Sequence, residues 1–165
     1  MKRVLSLLVD NNPGLLSRVA GLFSRRGYNV DSITAGVTAD PRFTRITIVT
    51  SGDELILSQI EKQLRKLEDV REIKVLDPDT SVLRELMMVK IRASASERSE
   101  AISLADIFHA KIVDVDGECL TMEVIGTQAK FEAFLKLLEG YEILELARTG
   151  LTGLARGIKG VKIFD

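Results

Sequence analysis

RVLSLLVDNNPGLLSRVAGLF, residues 3–23, sets the fold of the first half of the chain. Arg3 to Val9 is a nearly continuous apolar run with β-branched residues towards its ends, the pattern of a buried strand. From Leu15 the period changes. Leu15, Leu16, Val19, Ala20, Leu22 and Phe23 fall on one broad helical face. Arg25 and Arg26 place cations in the last turn, and Gly27 stops the helix. The joint between strand and helix is Asp10-Asn11-Asn12-Pro13-Gly14: two amides, a proline and a glycine where a plain polar turn would connect the two.

Beyond Gly27 the pattern predicts an extended segment from Tyr28 to Val37 and a turn at Asp40-Pro41-Arg42. A returning strand runs from Phe43 to Thr50, with the alternation Arg45, Ile46, Thr47, Ile48. Asp53 can cap a second helix whose stripe is Leu57, Ile60, Leu64 and Leu67. A strand from Arg71 to Leu76 follows, with Ile73 and Val75 on one face. The order is βαββαβ. Asp77-Pro78-Asp79-Thr80-Ser81 is polar and marks a linker.

The same order then returns. Glu85 to Ala93 reads as a strand, and Ser94 with Glu97 has capping-box spacing before the stripe Ala101, Leu104, Ala105, Phe108. Strands Lys111–Val115 and Glu118–Ile125 meet through Asp116-Gly117, a strong hairpin signal. Thr127 opens a helix with Phe131, Phe134, Leu135 and Leu138 inward, and Gly140 closes it. Glu142 to Arg148 is the last strand, and TGLTGLARGIKGVKIFD, residues 149–165, shows no clear period. The expected fold class is α+β, two tandem βαββαβ ferredoxin-like units with helices on one face of each antiparallel sheet. The expected boundaries are 1–77, a linker at 78–83, 84–149, and a tail at 150–165. Units this small leave edge strands and one sheet face uncovered, which makes a homodimer the default expectation.

Composition narrows the function classes. Lys+Arg is 23 against 24 Asp+Glu, a formal charge of -1, so no field gathers nucleic acid or an anionic membrane. The single Cys119 forms no internal disulfide, which suits a reducing cytosol, and one His109 with one Cys119 is a poor start for a zinc site. Both residues read as structural. The opening MKRVLSLLVDNN turns polar too early for a signal peptide, and no apolar run approaches the ~20 residues of a membrane span. Cytoplasmic location is the expectation.

The turn at residues 10–14 admits two readings. In one, Asn12 is an N-cap, Pro13 the first helical residue, and Gly14 merely tolerated. That leaves Asn11 unexplained, and a glycine inside a helix costs roughly 1 kcal/mol against alanine. In the other, Gly14 lets a ligand approach the free N–H groups of the helix start, where the dipole favours a carboxylate or phosphate. An Asn beside them accepts from an ammonium or donates to a carboxylate, so an α-amino acid matches both groups. Leu15 and Leu16 suit an aliphatic side chain, although half of that pair belongs to the helix's inward face.

VLSLLVDNNPGLLSRVAGLFSRRGYNVDSITAG resembles the ACT domain that opens acetolactate synthase (acetohydroxyacid synthase) small subunits. The resemblance continues through Arg45-Ile46-Thr47-Ile48, QIEKQLRKLEDV, RELMMVKI and ARTGLTGLARG, and so covers nearly the whole chain in order. It is highly specific in the N-terminal block and looser in the second unit, a second ACT-like domain. It implies a non-catalytic regulatory subunit that binds no cofactor itself. The partner it implies is a large catalytic subunit that uses thiamine diphosphate, Mg or another divalent metal, and FAD in branched-chain amino-acid synthesis. The small subunit would raise that enzyme's activity and confer allosteric feedback inhibition, usually by valine. Because one methylene in an apolar pocket is worth only about 1–3 kcal/mol, leucine and isoleucine are expected to bind weakly as well. The resemblance further implies a homodimer through the ACT domains, with effector sites where two of them meet. One chain would offer the first strand–helix turn, Asn11, Asn12, Pro13, Gly14, Leu15 and Leu16; the other would offer Asn29 and Val30. Gly14 and the helix start would receive the carboxylate, Asn11 and Asn29 the polar end, Leu15, Leu16 and Val30 the side chain, and Pro13 would pre-set the turn.

Other readings fare worse. RNA-binding βαββαβ domains stack bases on aromatics of the two central strands, and residues 3–9 and 44–50 contain none. Acylphosphatase-type hydrolases want an arginine cradle in the first turn, which DNNPG lacks. A metal sensor has too few ligands. A free-standing ACT-type amino-acid sensor acting on another partner keeps the same ligand site and is the runner-up.

Overall fold

The computed structural model describes residues 1–158, which fold into two units. The first comprises residues 1–83 and the stretch from Leu151; the second is Arg84–Gly150.

In the first unit, β1 (Lys2–Asp10), α1 (Leu15–Arg26), β2 (Asn29–Val37), β3 (Phe43–Ser51), α2 (Glu54–Arg65) and β4 (Val70–Val75) follow in the expected order. The sheet is antiparallel in the order β2-β3-β1-β4. β1 and β3 pair without interruption from Lys2 opposite Ser51 to Asp10 opposite Phe43. Alternation along β1 sends Leu5, Leu7 and Val9 to one face, where Ile46, Ile48 and Ile73 join them against Leu15, Val19, Leu22 and Phe23 of α1 and Leu57, Ile60 and Leu64 of α2. Asp53 caps α2 by accepting from the Ile56 N–H at 2.9 Å. Gly27 closes α1 in a left-handed conformation (φ 66). β2 is the edge strand beside β3, and Val30, Ile33 and Val37 on it are exposed.

The second unit repeats the plan with β5 (Ser81–Arg92), α3 (Arg98–Ile107), β6 (Lys111–Val115), β7 (Cys119–Gly126), α4 (Gln128–Leu137) and β8 (Ile143–Arg148), in the sheet order β6-β7-β5-β8. Met87, Val89, Ile91, Leu120, Met122 and Val124 pack with Ala101, Ala105, Phe131, Phe134 and Leu138. Thr127 caps α4, accepting from the Lys130 N–H. Ser94 and Glu97 do interact, the Ser94 N–H donating to Glu97 Oε2 at 2.8 Å, but a preliminary turn delays the α-helix to Arg98.

Several local expectations are corrected. β5 begins at Ser81, inside the stretch read as a linker, and its first residues belong to the first unit. The stretch read as an aperiodic tail forms a strand, β9 (Thr152–Ala155), which pairs with β5. Gly153 is needed there, because a Cβ would stand 2.3 Å from Leu83 Cδ2 and 2.8 Å from the Val82 carbonyl oxygen. Leu151 ties this return to β2: its carbonyl accepts from Thr34 Oγ1 at 3.1 Å and its N–H donates to Ser32 Oγ at 3.4 Å. The remainder of the expected tail, residues 159–165, lies outside the described residues. On α1, Leu16 and Ala20 are exposed, so the buried stripe is narrower than the sequence suggests.

Candidate functional site

The β1–α1 turn places Asn12, Pro13 and Gly14 differently from the sequence reading. Gly14 is the N-cap of α1, with φ 77 and ψ 2, so it stands before the first helical turn and not within it. Glycine is there because the left-handed region penalises any Cβ. Asn12 is not the cap. Its Nδ2 donates to Asp69 Oδ1 at 2.9 Å, and Pro13 lies outside the helix as well.

Without a capping side chain, the helix start keeps open N–H groups. The Leu15 N–H reaches the Asn12 carbonyl at 3.3 Å, while no acceptor among the described residues meets the backbone N–H of Leu16 or Ser17. No acidic residue stands in the first turn to neutralise the dipole. These groups open into a cleft of about 320 Å³. Asn11, Asn12, Gly14, Leu15, Leu16 and Ser17 form one side of it. Ala35, Gly36 and Val37 at the end of β2, with Thr44 of β3, form the other. Leu15 is 5% exposed and belongs to the core, whereas Leu16 is 51% exposed and stands at the cleft. The pair therefore divides as its helical positions require.

Asn11 is already engaged at both ends of its amide. Nδ2 donates to the Pro41 carbonyl at 3.1 Å, and Oδ1 accepts from Thr44 Oγ1 at 3.1 Å. One N–H and one lone pair remain for a ligand. Behind the turn, Arg18 donates to Asp69 Oδ2 through Nε at 2.9 Å and Nη2 at 2.5 Å, and through Nη1 to the Pro13 carbonyl at 3.3 Å. Hydrogen bonds from Asn12, then from Arg18, hold the Asp69 carboxyl below its ordinary range. Asp10 pairs with Arg71 beside it.

Asn29 and Val30 do not reach this cleft. They begin β2, while Ala35–Val37 end it, and Asn29 and Val37 are about 26 Å apart along a strand. Asn29 Nδ2 donates to Ser51 Oγ at 2.9 Å and to Asp31 Oδ1 at 2.5 Å. Val30 lines a second, apolar groove of about 290 Å³ with Val19, Phe23, Tyr28 and Ile33. One chain thus gathers Asn11, Asn12, Gly14, Leu15 and Leu16 and leaves Asn29 and Val30 at the far end of the same strand. The sequence reading missed Ser17, Ala35, Gly36, Val37 and Thr44; the break of alternation at Ala35-Gly36 in an otherwise β-branched edge strand was the available signal.

Among the described residues no group of three or more His, Cys, Asp or Glu side chains is placed to hold a metal ion. No helix among them is long and apolar enough to cross a membrane.

Comparison with known proteins agrees across the chain. Residues 5–72 match the family described as AHAS small subunit-like ACT domain, and residues 84–157 match the family described as small subunit of acetolactate synthase. The chain is 51% identical over 155 residues to the probable acetolactate synthase small subunit of Methanothermobacter thermautotrophicus, covering 93% of this chain and 92% of that protein. It is 48% identical over 160 residues to the acetolactate synthase isozyme 3 small subunit of Escherichia coli strain K12, covering 96% of this chain and 98% of that one. The crystal structure of the acetolactate synthase small subunit from Thermotoga maritima superposes with a TM-score of 0.88 at 38% identity, over 96% of this chain and 99% of that chain.

Proposed function

The chain belongs to the acetolactate synthase small-subunit family, regulatory subunits in branched-chain amino-acid biosynthesis, and on that premise we propose that it activates the large catalytic subunit and carries feedback inhibition by L-valine. In this reading the chain performs no catalysis. Thiamine diphosphate, Mg and FAD belong to the large subunit, and the holoenzyme works in the cytoplasm.

The observation that carries the reading is the uncapped start of α1 opening into an apolar-walled cleft. The effector's carboxylate meets the N–H groups of Leu16 and Ser17 with the positive end of the helix dipole. Its ammonium meets the remaining lone pair of Asn11 Oδ1. Its aliphatic side chain lies between Leu16 and the Ala35–Val37 wall. A methylene more or less in such a pocket is worth about 1–3 kcal/mol, so leucine and isoleucine bind more weakly without being excluded.

The distance of Asn29 and Val30 from the cleft fits a site completed by a second copy. β2 is an edge strand with exposed apolar residues. Two such edges related by a two-fold axis at Ile33 run antiparallel, and Asn29 and Val30 of one copy then lie beside Val37 and Gly36 of the other. The effector would stabilise that pairing, and its influence on the large subunit equals its difference in affinity between the two arrangements.

The test is reconstitution with the large subunit. Copurification, a rise in acetolactate formation on adding this chain, and its reversal by L-valine support the reading. A chain that binds L-valine but neither copurifies with nor activates the large subunit is a free-standing sensor instead.

A further inference from the structure

We infer that Arg18 and Asp69 are positioning residues for the effector turn, acting through Asn12 and Pro13 and not by touching the ligand. This rests on the reading of the cleft as the effector site.

One carboxylate collects the whole turn. Asp69 Oδ1 accepts from Asn12, and Oδ2 accepts twice from Arg18, whose third nitrogen reaches the Pro13 carbonyl. Residues 12 and 13, the two immediately before the left-handed Gly14, are therefore tied to a single point. That point is itself fixed to the sheet, because the Asp69 carbonyl accepts from the Asp10 N–H at 2.8 Å. The Asp69 side chain is 14% exposed and its Arg18 partner 47%, so the cluster lies at the surface and acts by geometry, through several bonds made to one carboxylate. Neither Arg18 nor Asp69 lines the cleft.

The consequence is preorganisation. Glycine reaches this left-handed conformation, and many others, without penalty and has no side chain to hold it, so its flanks must set its direction. A turn freed from Asp69 would sample other directions for the Leu16 and Ser17 N–H groups, and the effector would have to order them on binding. A planar guanidinium can serve Asp69 and Pro13 together; a lysine reaches only one at a time.

The experiment is calorimetric titration of the full-length chain with L-valine, L-leucine and L-isoleucine, paired with thermal unfolding. The variants are Arg18→Met, Arg18→Lys, Asp69→Asn and, as a control, Arg71→Met, which removes the neighbouring pair with Asp10. The expected result is L-valine binding weakened at least tenfold in Arg18→Met and Asp69→Asn. In affinity, Arg18→Lys falls between them and the parent and Arg71→Met matches the parent, and no variant's Tm falls by more than a few degrees. Amide exchange at Leu15 and Arg18 should quicken in the two weakened variants while that of β1 does not. L-valine binding within twofold of the parent in both Arg18→Met and Asp69→Asn, or equal weakening in Arg71→Met, overturns this inference and leaves the site reading standing. A parent chain that binds none of the three amino acids overturns the site reading, and this inference with it.

Discussion

Arg18 stands directly behind Gly14: its Nη1 lies 3.2 Å from the place a Cβ on Gly14 would occupy. Any side chain at position 14 must therefore push the guanidinium back by a few tenths of an ångström and adopt φ 77 as well. Aspartate is among the residues that tolerate the left-handed region, at about 1 kcal/mol, and its charge suits a helix start. Gly14→Asp should keep the fold, with Tm lowered by a few degrees, and lose L-valine binding at least tenfold. Its side chain projects towards Arg18, so the carboxylate draws the guanidinium from Asp69, and its negative charge at the helix start opposes the ligand's own carboxylate. Unchanged titration with L-valine would move the site away from this turn.

Ala35 allows the cleft to be filled without disturbing the core. It pairs with Ile46, so a side chain there projects to the helix-bearing face, and it is itself exposed at the strand's end. Ala35→Leu should leave unfolding free energy within about 0.5 kcal/mol of the parent, as exposed substitutions do. L-valine affinity should drop. Urea unfolding and calorimetry on the same variant check both halves, and retained affinity would mean the effector does not use this wall.

Leu15 and Leu16 give opposite outcomes although they are adjacent. Leu15 sits in the core with Val19, Leu22 and Phe23, and truncation to alanine should cost about 2–5 kcal/mol. Leu16→Ala should cost well under 1 kcal/mol and weaken the effector instead. A Leu16 variant as unstable as the Leu15 variant would contradict the division between core and cleft.

What could be read in the sequence was whatever rests on neighbours along the chain. Asp53 and Thr127 announce their helices because a cap acts three residues ahead. β1 and β3 announce themselves by β-branched apolar runs. What escaped depends on distant partners. Asn12 looks like an N-cap until Asp69 arrives beside it, and TGLA, residues 152–155, becomes a strand only because β5 is there to pair with it. Ala35, Gly36 and Val37 carry no chemical signature, and their part in the cleft follows from β2 ending beside the β1–α1 turn. The positive φ of Gly14 is a property of the turn as a whole. The residues of the turn suggested a glycine with a purpose but placed it two positions too deep in the helix.

In the second unit, Glu85 and Arg148 form a paired fork. Arg148 donates through Nε at 2.9 Å and Nη2 at 2.7 Å, while lying over the Phe131 ring at 5.3 Å. Glu85 is 7% exposed and also accepts from the Gly150 N–H at 3.2 Å. Arg148→Met leaves that carboxylate without its cation. A fully buried pair broken this way costs about 3–5 kcal/mol, and the partly exposed arginine lowers the figure to about 1–3 kcal/mol. Glu85→Gln together with Arg148→Met should recover part of the loss, because the uncompensated charge is then gone. A double variant no more stable than Arg148→Met alone would show that packing over Phe131, and not charge, is what Arg148 supplies.

Acid should loosen the chain through carboxylates that the fold holds ionised. Asp69 lies below its ordinary 3.8 because Asn12 and Arg18 donate to it, and Glu97 lies below its ordinary 4.5 because the Ser94 N–H and hydroxyl donate to it. Each folded value is depressed, so below the ordinary values the unfolded chain binds more protons than the folded one, and stability rises with pH there. The contribution is fully present above 3.8 for Asp69 and 4.5 for Glu97, and is lost as pH falls through the lower folded values. Tm should be flat from neutral pH down to about pH 5 as far as these groups govern it, and fall below that. Asp69→Asn removes one titrating group and leaves a neutral acceptor, so its Tm should begin lower at neutral pH and converge on the parent's in acid. Parallel curves, offset equally at every pH, would show that Asp69 stabilises the first unit by shape alone and that its bonds to Asn12 and Arg18 contribute nothing through charge.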